Sequence, residues 1–288
     1  MNKAVIGRRY ARVSLAVTAD SVRRAMTALR RGDDLNGRIP LGILPAPPAL
    51  VREIFNDLTA DGFDEHRRRL FAGAHIELAE RLDTDRAYDV DSEIIAVRDV
   101  EADSGRLQLG TFELRFSAPG EARRLASYRW TFAERQAGGR DDGQRPSEAA
   151  ALAGRPLPEQ AHPGFTREEI LDYVEAVEDP NPLHRDEDFA RSIGFPTVVA
   201  SGGMALGLLG SYVERAAGEG GVAVFAPRLH APLFPGEELH LSGSLSSDDD
   251  GSGPLTMVCR LAAGPQRRIV ATANAALDVA PSALFAPG

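Results

Sequence analysis

The 288-residue sequence contains a single cysteine, Cys259, so no intramolecular disulfide can form. It has no CxxC or HExxH motif, and its six histidines are scattered. That pattern argues against a structural or catalytic zinc site, and we expect neither a metal nor a cofactor. Cys259 lies in a strand-like run and is expected to be a small core residue.

No run of eighteen uncharged apolar residues is present, and Arg8, Arg9 and Arg12 interrupt the first apolar segment. We therefore expect no membrane span and no signal peptide, which favours a cytoplasmic protein. Forty-two acidic residues against thirty-three basic ones give a net charge of −9. Such a balance argues against nucleic acid or an anionic membrane surface as a partner.

The chain is long enough for two ordinary domains. Residues 136–162 are rich in Gly, Pro, Ala and charged residues and show no apolar period. We interpret this segment as a linker between a first domain over 1–135 and a second over 163–288.

Both halves begin with a helix-start pattern. Thr166 and Glu169 have the spacing of a capping box, and Thr18 can cap a helix in the same way in the first half. A further helical stretch follows in each half, over 47–58 and 201–217. The second of these is nearly all apolar and contains closely spaced glycines, so we expect it to be buried with other chain segments packed closely on it.

Each half ends in four strand-like runs. They cover 74–80, 90–100, 106–116 and 124–134 in the first half, and 222–230, 237–246, 255–263 and 267–279 in the second. Turn signals at 103–105 and 248–251 separate neighbouring runs. This order predicts antiparallel hairpins and an α+β fold.

The most informative motif is Asp-Pro-Asn-Pro-Leu-His at residues 179–184. It places the carboxylate of Asp179 five residues from the imidazole of His184 in a loop stiffened by two prolines. That arrangement suits general acid–base chemistry without a metal. The first half has a related Asp-x-Asn pattern at 34–36, but Ile39 stands where the histidine would be and cannot transfer a proton.

The motif, with Ala190 six residues after the histidine and Gly202 before the apolar helix, resembles the hydratase-2 motif of MaoC-like, (R)-specific enoyl-thioester hydratases and dehydratases. The whole chain is similar to a double hot-dog 3-hydroxyacyl-thioester dehydratase with a degenerate N-terminal half that resembles the fatty-acid-synthase-like dehydratase domain. The resemblance implies two antiparallel sheets, each wrapped around a central helix. It also implies that Asp179 and His184 are the catalytic pair.

Two positions depart from the family pattern. Glu178 precedes the aspartate where many members have glycine, and Ser201-Gly202 replaces a His-Gly pair. Neither change removes a proton-transfer group, although Ser201 can alter substrate fit. Backbone N–H groups at the helix start can receive charge that develops on a thioester oxygen. The expected substrate-binding residues are Asn181, Ser201, Gly202 and Gly203.

The expected reaction is the reversible hydration of a trans-2-enoyl thioester to the (R)-3-hydroxyacyl thioester, in fatty-acid or polyketide metabolism. The substrate is carried by coenzyme A or by an acyl carrier protein, and a homodimer is compatible with the fold. The N-terminal half is expected to shape an acyl tunnel lined from Leu50, Val51, Ile54 and Phe55. Two alternatives remain, a noncatalytic acyl-thioester-binding subunit and a hot-dog thioesterase.

Overall fold

The structure is a computed structural model that describes residues 1–32, 36–59, 69–102, 105–135, 152, 154–218, 221–246 and 255–278. Its helices are α1 (Ala19–Ala28), α2 (Pro48–Leu58), α3 (Arg167–Ala176), α4 (Glu187–Ser192) and α5 (Gly202–Ala217), with short 3-10 helices at Lys3–Val5 and Pro182–His184. Its strands are β1 (Val13–Ala16), β2 (Arg69–Leu78), β3 (Ala87–Ala102), β4 (Gly105–Ser117), β5 (Arg124–Arg135), β6 (Arg155–Pro156), β7 (Gln160–His162), β8 (Val222–Leu229), β9 (Leu239–Ser246), β10 (Leu255–Ala263) and β11 (Arg268–Leu277).

The strands form one eleven-stranded sheet in the order β1-β3-β4-β5-β2-β8-β11-β10-β9-β6, with β7 also paired to β9. Neighbouring strands run antiparallel, which confirms the α+β prediction. All eight predicted runs correspond to strands; the largest difference is at β2, which begins at Arg69. The two expected sheets meet edge to edge, because β2 pairs with β8 through registers such as Ile76↔Phe225.

Two turns that the sequence signals, at 103–104 and 248–251, lie outside the described residues. The flanking strands nevertheless pair as hairpins. β3 and β4 remain in register up to Ala102↔Gly105, and β9 pairs with β10 from Ser246↔Thr256 onward. Cys259 of β10 is buried, as predicted for a core residue. No helix in the described ranges is long and apolar enough to cross a membrane.

Helices α1 and α3 begin with the caps that the sequence predicts. The Thr18 side chain accepts a hydrogen bond from the Ser21 N–H, and Thr166 forms a complete capping box with Glu169. The two helices pack on each other. Arg30, just beyond the end of α1, makes a two-point ion pair with Glu169 at 2.5 and 3.0 Å, which fixes the first half against the start of α3.

Helix α5 is the buried central helix of the second half and packs on β8, β10 and β11. A Cβ on Gly210 would overlap the carbonyl of Leu41, so only glycine allows the backbone of the first half to approach here. Gly207 packs against the side chain of Leu29. The close approach predicted for this helix is confirmed.

Part of the segment interpreted as a linker is folded. Arg155–Pro156 and Gln160–His162 pair with β9, because the open edge of that strand offers unpaired N–H and carbonyl groups. Residues 136–151 and 153 lie outside the described part of the chain. The boundaries of the two domains, 1–135 and 163–288, therefore remain predictions.

Candidate active site

The chain leaves α3 through a tight turn that positions Asp179. Glu178 has a φ of 54°, in the left-handed region, and the Asp179 N–H donates to the carbonyl of Val174 at 2.8 Å. Glycine adopts this backbone freely, which explains why glycine suits the position before the aspartate. Glutamate at this position costs on the order of 1 kcal/mol.

Asn181 braces the loop from within. Its N–H donates to Asp179 Oδ1 at 3.0 Å, and its own Oδ1 accepts from the N–H of Leu183 at 3.0 Å. The asparagine therefore caps the 3-10 helix that carries His184. The side-chain oxygen of Asn181 therefore stabilises the loop. Its contact with substrate remains a proposal.

His184 is held in one orientation by its buried nitrogen. The side chain is 8% exposed, and Nδ1 lies 2.7 Å from the carbonyl oxygen of Val199. Because a carbonyl only accepts, Nδ1 carries the hydrogen, and Nε2 of the neutral ring holds the lone pair. Nε2 lies 3.4 Å from Asp179 Oδ2, and the Asp179 side chain is 26% exposed. A basic nitrogen and a carboxylate thus face each other at a partly open position.

Ser201 connects Asp179 to the start of α5. Its hydroxyl donates to Asp179 Oδ2 at 3.2 Å, and its Oγ accepts weakly from the Gly203 N–H at 3.4 Å. Among the described residues, the Gly202 N–H has no acceptor. As the first N–H of the helix it is directed out of the N-terminus, where the helix dipole favours negative charge.

The two glycines at the start of α5 make room for side chains from elsewhere. A Cβ on Gly202 would lie 2.7 Å from Leu229 Cδ1 and 3.0 Å from Phe71 Cδ1. A Cβ on Gly203 would lie 2.5 Å from Tyr173 Oη. Sequence reasoning missed Phe71 and Tyr173 at the site. Tyr173 lies three residues after Ile170, a spacing that would have indicated only a core position, and Phe71 had no local signal.

In the first half, Arg31 stands where Asp179 stands in the second. α1 and α3 are both ten residues long, and Arg31 and Asp179 each lie three residues beyond the helix end. Arg30 and Glu178 share a φ of 53° and 54°, and the next N–H in each case donates to the carbonyl five residues earlier. The match of the pattern at 34–36 with the second-half loop is therefore wrong, because it is displaced by three residues; Asp34 itself lies outside the described residues.

The site combines an acceptor carboxylate, an acceptor imidazole nitrogen and a free backbone donor. Within the described ranges, no cluster of three or more His, Cys, Asp or Glu side chains is placed to hold a metal ion. The carboxylate, the imidazole nitrogen and the backbone donor support proton transfer next to a group that gains negative charge.

Comparisons with known proteins concern the family and the fold. Residues 148–261 match the family model of the MaoC-like domain. The whole chain is similar to the solved structure of a MaoC-like dehydratase, with a TM-score of 0.74, 20% identity, and coverage of 96% of this chain and 98% of that one. It is also similar to a conserved hypothetical protein of Mycobacterium tuberculosis described as having a double hot-dog fold, with a TM-score of 0.58, 13% identity, and coverage of 94% and 96%.

A curated relative, a UPF0336 protein of Saccharopolyspora erythraea, is 40% identical over 50 residues. The match spans 17% of this chain and 32% of that protein, about a third of its length. The double hot-dog architecture inferred from the sequence is confirmed by the solved structures. The residues that match the model of the MaoC-like domain include Asp179 and His184.

Proposed function

We propose that the chain is a hydro-lyase that interconverts trans-2-enoyl and (R)-3-hydroxyacyl thioesters. The observation that carries this proposal is the pairing of Asp179 Oδ2 with His184 Nε2 at 3.4 Å, close to the unpaired N–H at the start of α5. The MaoC-like family of the second half supports it. The proposed substrates are thioesters of coenzyme A or of an acyl carrier protein in fatty-acid or polyketide metabolism.

Hydration adds water across the C2–C3 double bond. A water molecule between Asp179 Oδ2 and His184 Nε2 can donate one hydrogen to each. As its oxygen bonds to C3, one of the two acceptors takes a proton, and the pair returns a proton to C2. The acid–base pair is regenerated and no other reactant is consumed. Dehydration follows the same steps in reverse.

Negative charge passes to the thioester oxygen between these steps, because the electron pair of the double bond forms an enolate. In this proposal the Gly202 N–H, which has no acceptor among the described residues, donates to that oxygen, aided by the dipole of α5. The Gly203 N–H already contacts Ser201 Oγ at 3.4 Å, so it is the weaker donor of the two. Ser201 acts mainly by holding Asp179.

The test is a spectrophotometric assay of purified full-length chain with trans-2-butenoyl and trans-2-decenoyl groups on coenzyme A and on an acyl carrier protein. We expect loss of enoyl-thioester absorbance and formation of the (R)-alcohol. His184→Ala should lower turnover by about 10²- to 10⁴-fold, because it removes one member of the acid–base pair. His75→Ala, which removes a histidine bonded to Glu77 outside the loop, is the matched control.

Three outcomes would contradict the proposal. Release of free thiol would indicate the thioesterase alternative. Binding of the thioesters without turnover would indicate the noncatalytic subunit. Turnover that survives His184→Ala would separate the activity from this site.

A further inference from the structure

The side chain of Tyr173 is buried, and its hydroxyl lies next to the start of α5. Tyr173 is 2% exposed, and its Oη occupies the space that a Cβ on Gly203 would need. Among the described residues, this hydroxyl has no hydrogen-bond partner. The hydroxyl of a tyrosine without a protein acceptor takes its acceptor from water or from a ligand.

Tyr10, Tyr88 and Tyr212 bond their hydroxyls within the protein, whereas the Tyr128 hydroxyl, like that of Tyr173, has no partner among the described residues. Tyr10 donates to Asp57 at 2.8 Å, and Tyr212 donates to the carbonyl of Pro158 at 2.9 Å. Tyr173 differs because its hydroxyl lies beside the helix N-terminus at which the Gly202 N–H is also unpaired. Two neighbouring donors without acceptors indicate a position for an oxygen atom of a ligand.

The hydroxyl keeps its hydrogen at neutral pH. Burial raises the pKa of Tyr173 well above its ordinary value, and the negative charge of Asp179 raises that pKa further. The phenol is therefore a hydrogen-bond donor and not a base.

We propose that the Tyr173 hydroxyl donates a hydrogen bond to the thioester oxygen of the substrate, beside the Gly202 N–H, and is a catalytic residue of the hydration. This inference rests on the proposed function. The enolate oxygen then receives two donors, one from a side chain and one from the backbone. The tyrosine stabilises developing charge and transfers no proton, so the exchange between water, Asp179 and His184 is unchanged.

The test is Tyr173→Phe in the full-length chain, assayed with trans-2-butenoyl-CoA. Loss of one such donor should lower kcat by about 100-fold and change KM by less than about threefold. Because the described structure shows no protein acceptor for this hydroxyl, the thermal midpoint should not fall.

Tyr212→Phe is the matched control, because it removes a buried hydroxyl that bonds within the protein. It should lower the thermal midpoint and leave kcat unchanged. A second readout is the infrared carbonyl stretch of butenoyl-CoA bound to His184→Ala, which should lie below the solution frequency. Adding Tyr173→Phe should move it back towards that frequency.

The outcomes separate the two proposals. Full kcat in Tyr173→Phe, with the unaltered chain active, would overturn the role of Tyr173 alone. The role of Tyr173 would also be overturned if the carbonyl stretch of the bound thioester equalled the solution frequency and did not change on Tyr173→Phe. An unaltered chain that hydrates none of the thioesters would overturn the proposed function and, with it, this inference.

Discussion

Arg31 and Glu214 form an ion pair that joins the two halves of the chain. Arg31 Nη2 lies 3.3 Å from Glu214 Oε2, and their side chains are 14% and 17% exposed. Arg81 donates to Glu214 Oε1 at 2.5 Å, and the Leu41 N–H donates to the same oxygen at 2.7 Å. Arg31 is the first-half counterpart of Asp179. Instead of a carboxylate, this position holds a guanidinium that binds the first half to α5.

Glu214→Gln should destabilise the fold, because it leaves two largely buried guanidinium groups without a counter-charge. We expect a loss of about 3 kcal/mol in the free energy of unfolding. Urea titration followed by circular dichroism measures it. Glu175→Gln, an exposed glutamate on α3, is the control and should change stability by less than about 0.5 kcal/mol. Equal stability of the two variants would contradict the proposed contribution of the Arg31–Glu214–Arg81 ion pairs to the fold.

Ser201→Ala tests whether the serine positions Asp179. The change removes a hydrogen bond to the carboxylate and the cap of α5. We expect kcat to fall about tenfold, the equivalent of one such bond, and stability to fall by about 1 kcal/mol. Ser211→Ala, at another buried serine of α5, is the control for burial alone. A normal kcat in Ser201→Ala would show that Asp179 needs no support from this hydroxyl.

Local signals in the sequence predicted much of this molecule. The capping box depends only on Thr166 and Glu169, which are three residues apart. The strand runs depend on alternation within one segment. Both could therefore be predicted without knowledge of tertiary contacts. The spacing of Asp179 and His184 was also local, and the structure brings their side chains together.

Features that depend on contacts between distant segments could not be predicted from the sequence. Phe71 reaches the site only because β2 and β8 join the two halves, and Tyr173 only because α3 packs beside the start of α5. The match of 34–36 with the second-half loop was wrong because counting along the sequence ignores where the helix ends. The helix end selects Arg31 instead.

Cys259 should be unreactive in the folded protein. Burial raises the pKa of its thiol to about 12, so almost no thiolate forms near pH 8. The folded protein retains this proton more strongly than the unfolded chain, whose thiol has the ordinary pKa of 9.0. The free energy of unfolding should therefore fall as the pH rises from 9.0 to about 12. Labelling with a disulfide reagent at pH 8 should require denaturant. Ser192→Cys, at an exposed position, should label at once; equally rapid labelling of Cys259 would contradict its burial.

Phe71 connects the start of α5 to aromatic rings beneath α2. Its ring centroid lies 5.2 Å from that of Phe132, which lies 4.5 Å from that of Phe55. The sequence led us to expect an acyl tunnel lined from Leu50, Val51, Ile54 and Phe55. Leu50 and Ile54 are buried and Phe55 packs edge-on against Phe132, and the tunnel stays a prediction. Because Phe71 lies between Gly202 and Phe132, we expect a short acyl group to react best.

Phe71→Ala should shift the preference towards longer acyl chains, because it removes the ring that contacts Gly202 and opens space towards Phe132. We expect the ratio of kcat/KM for decenoyl-CoA to that for butenoyl-CoA to rise by about tenfold, the value of one or two methylene contacts. Leu70→Ala is the control, because this neighbour is 38% exposed. An unchanged ratio in Phe71→Ala, with normal butenoyl turnover, would show that the acyl chain lies elsewhere.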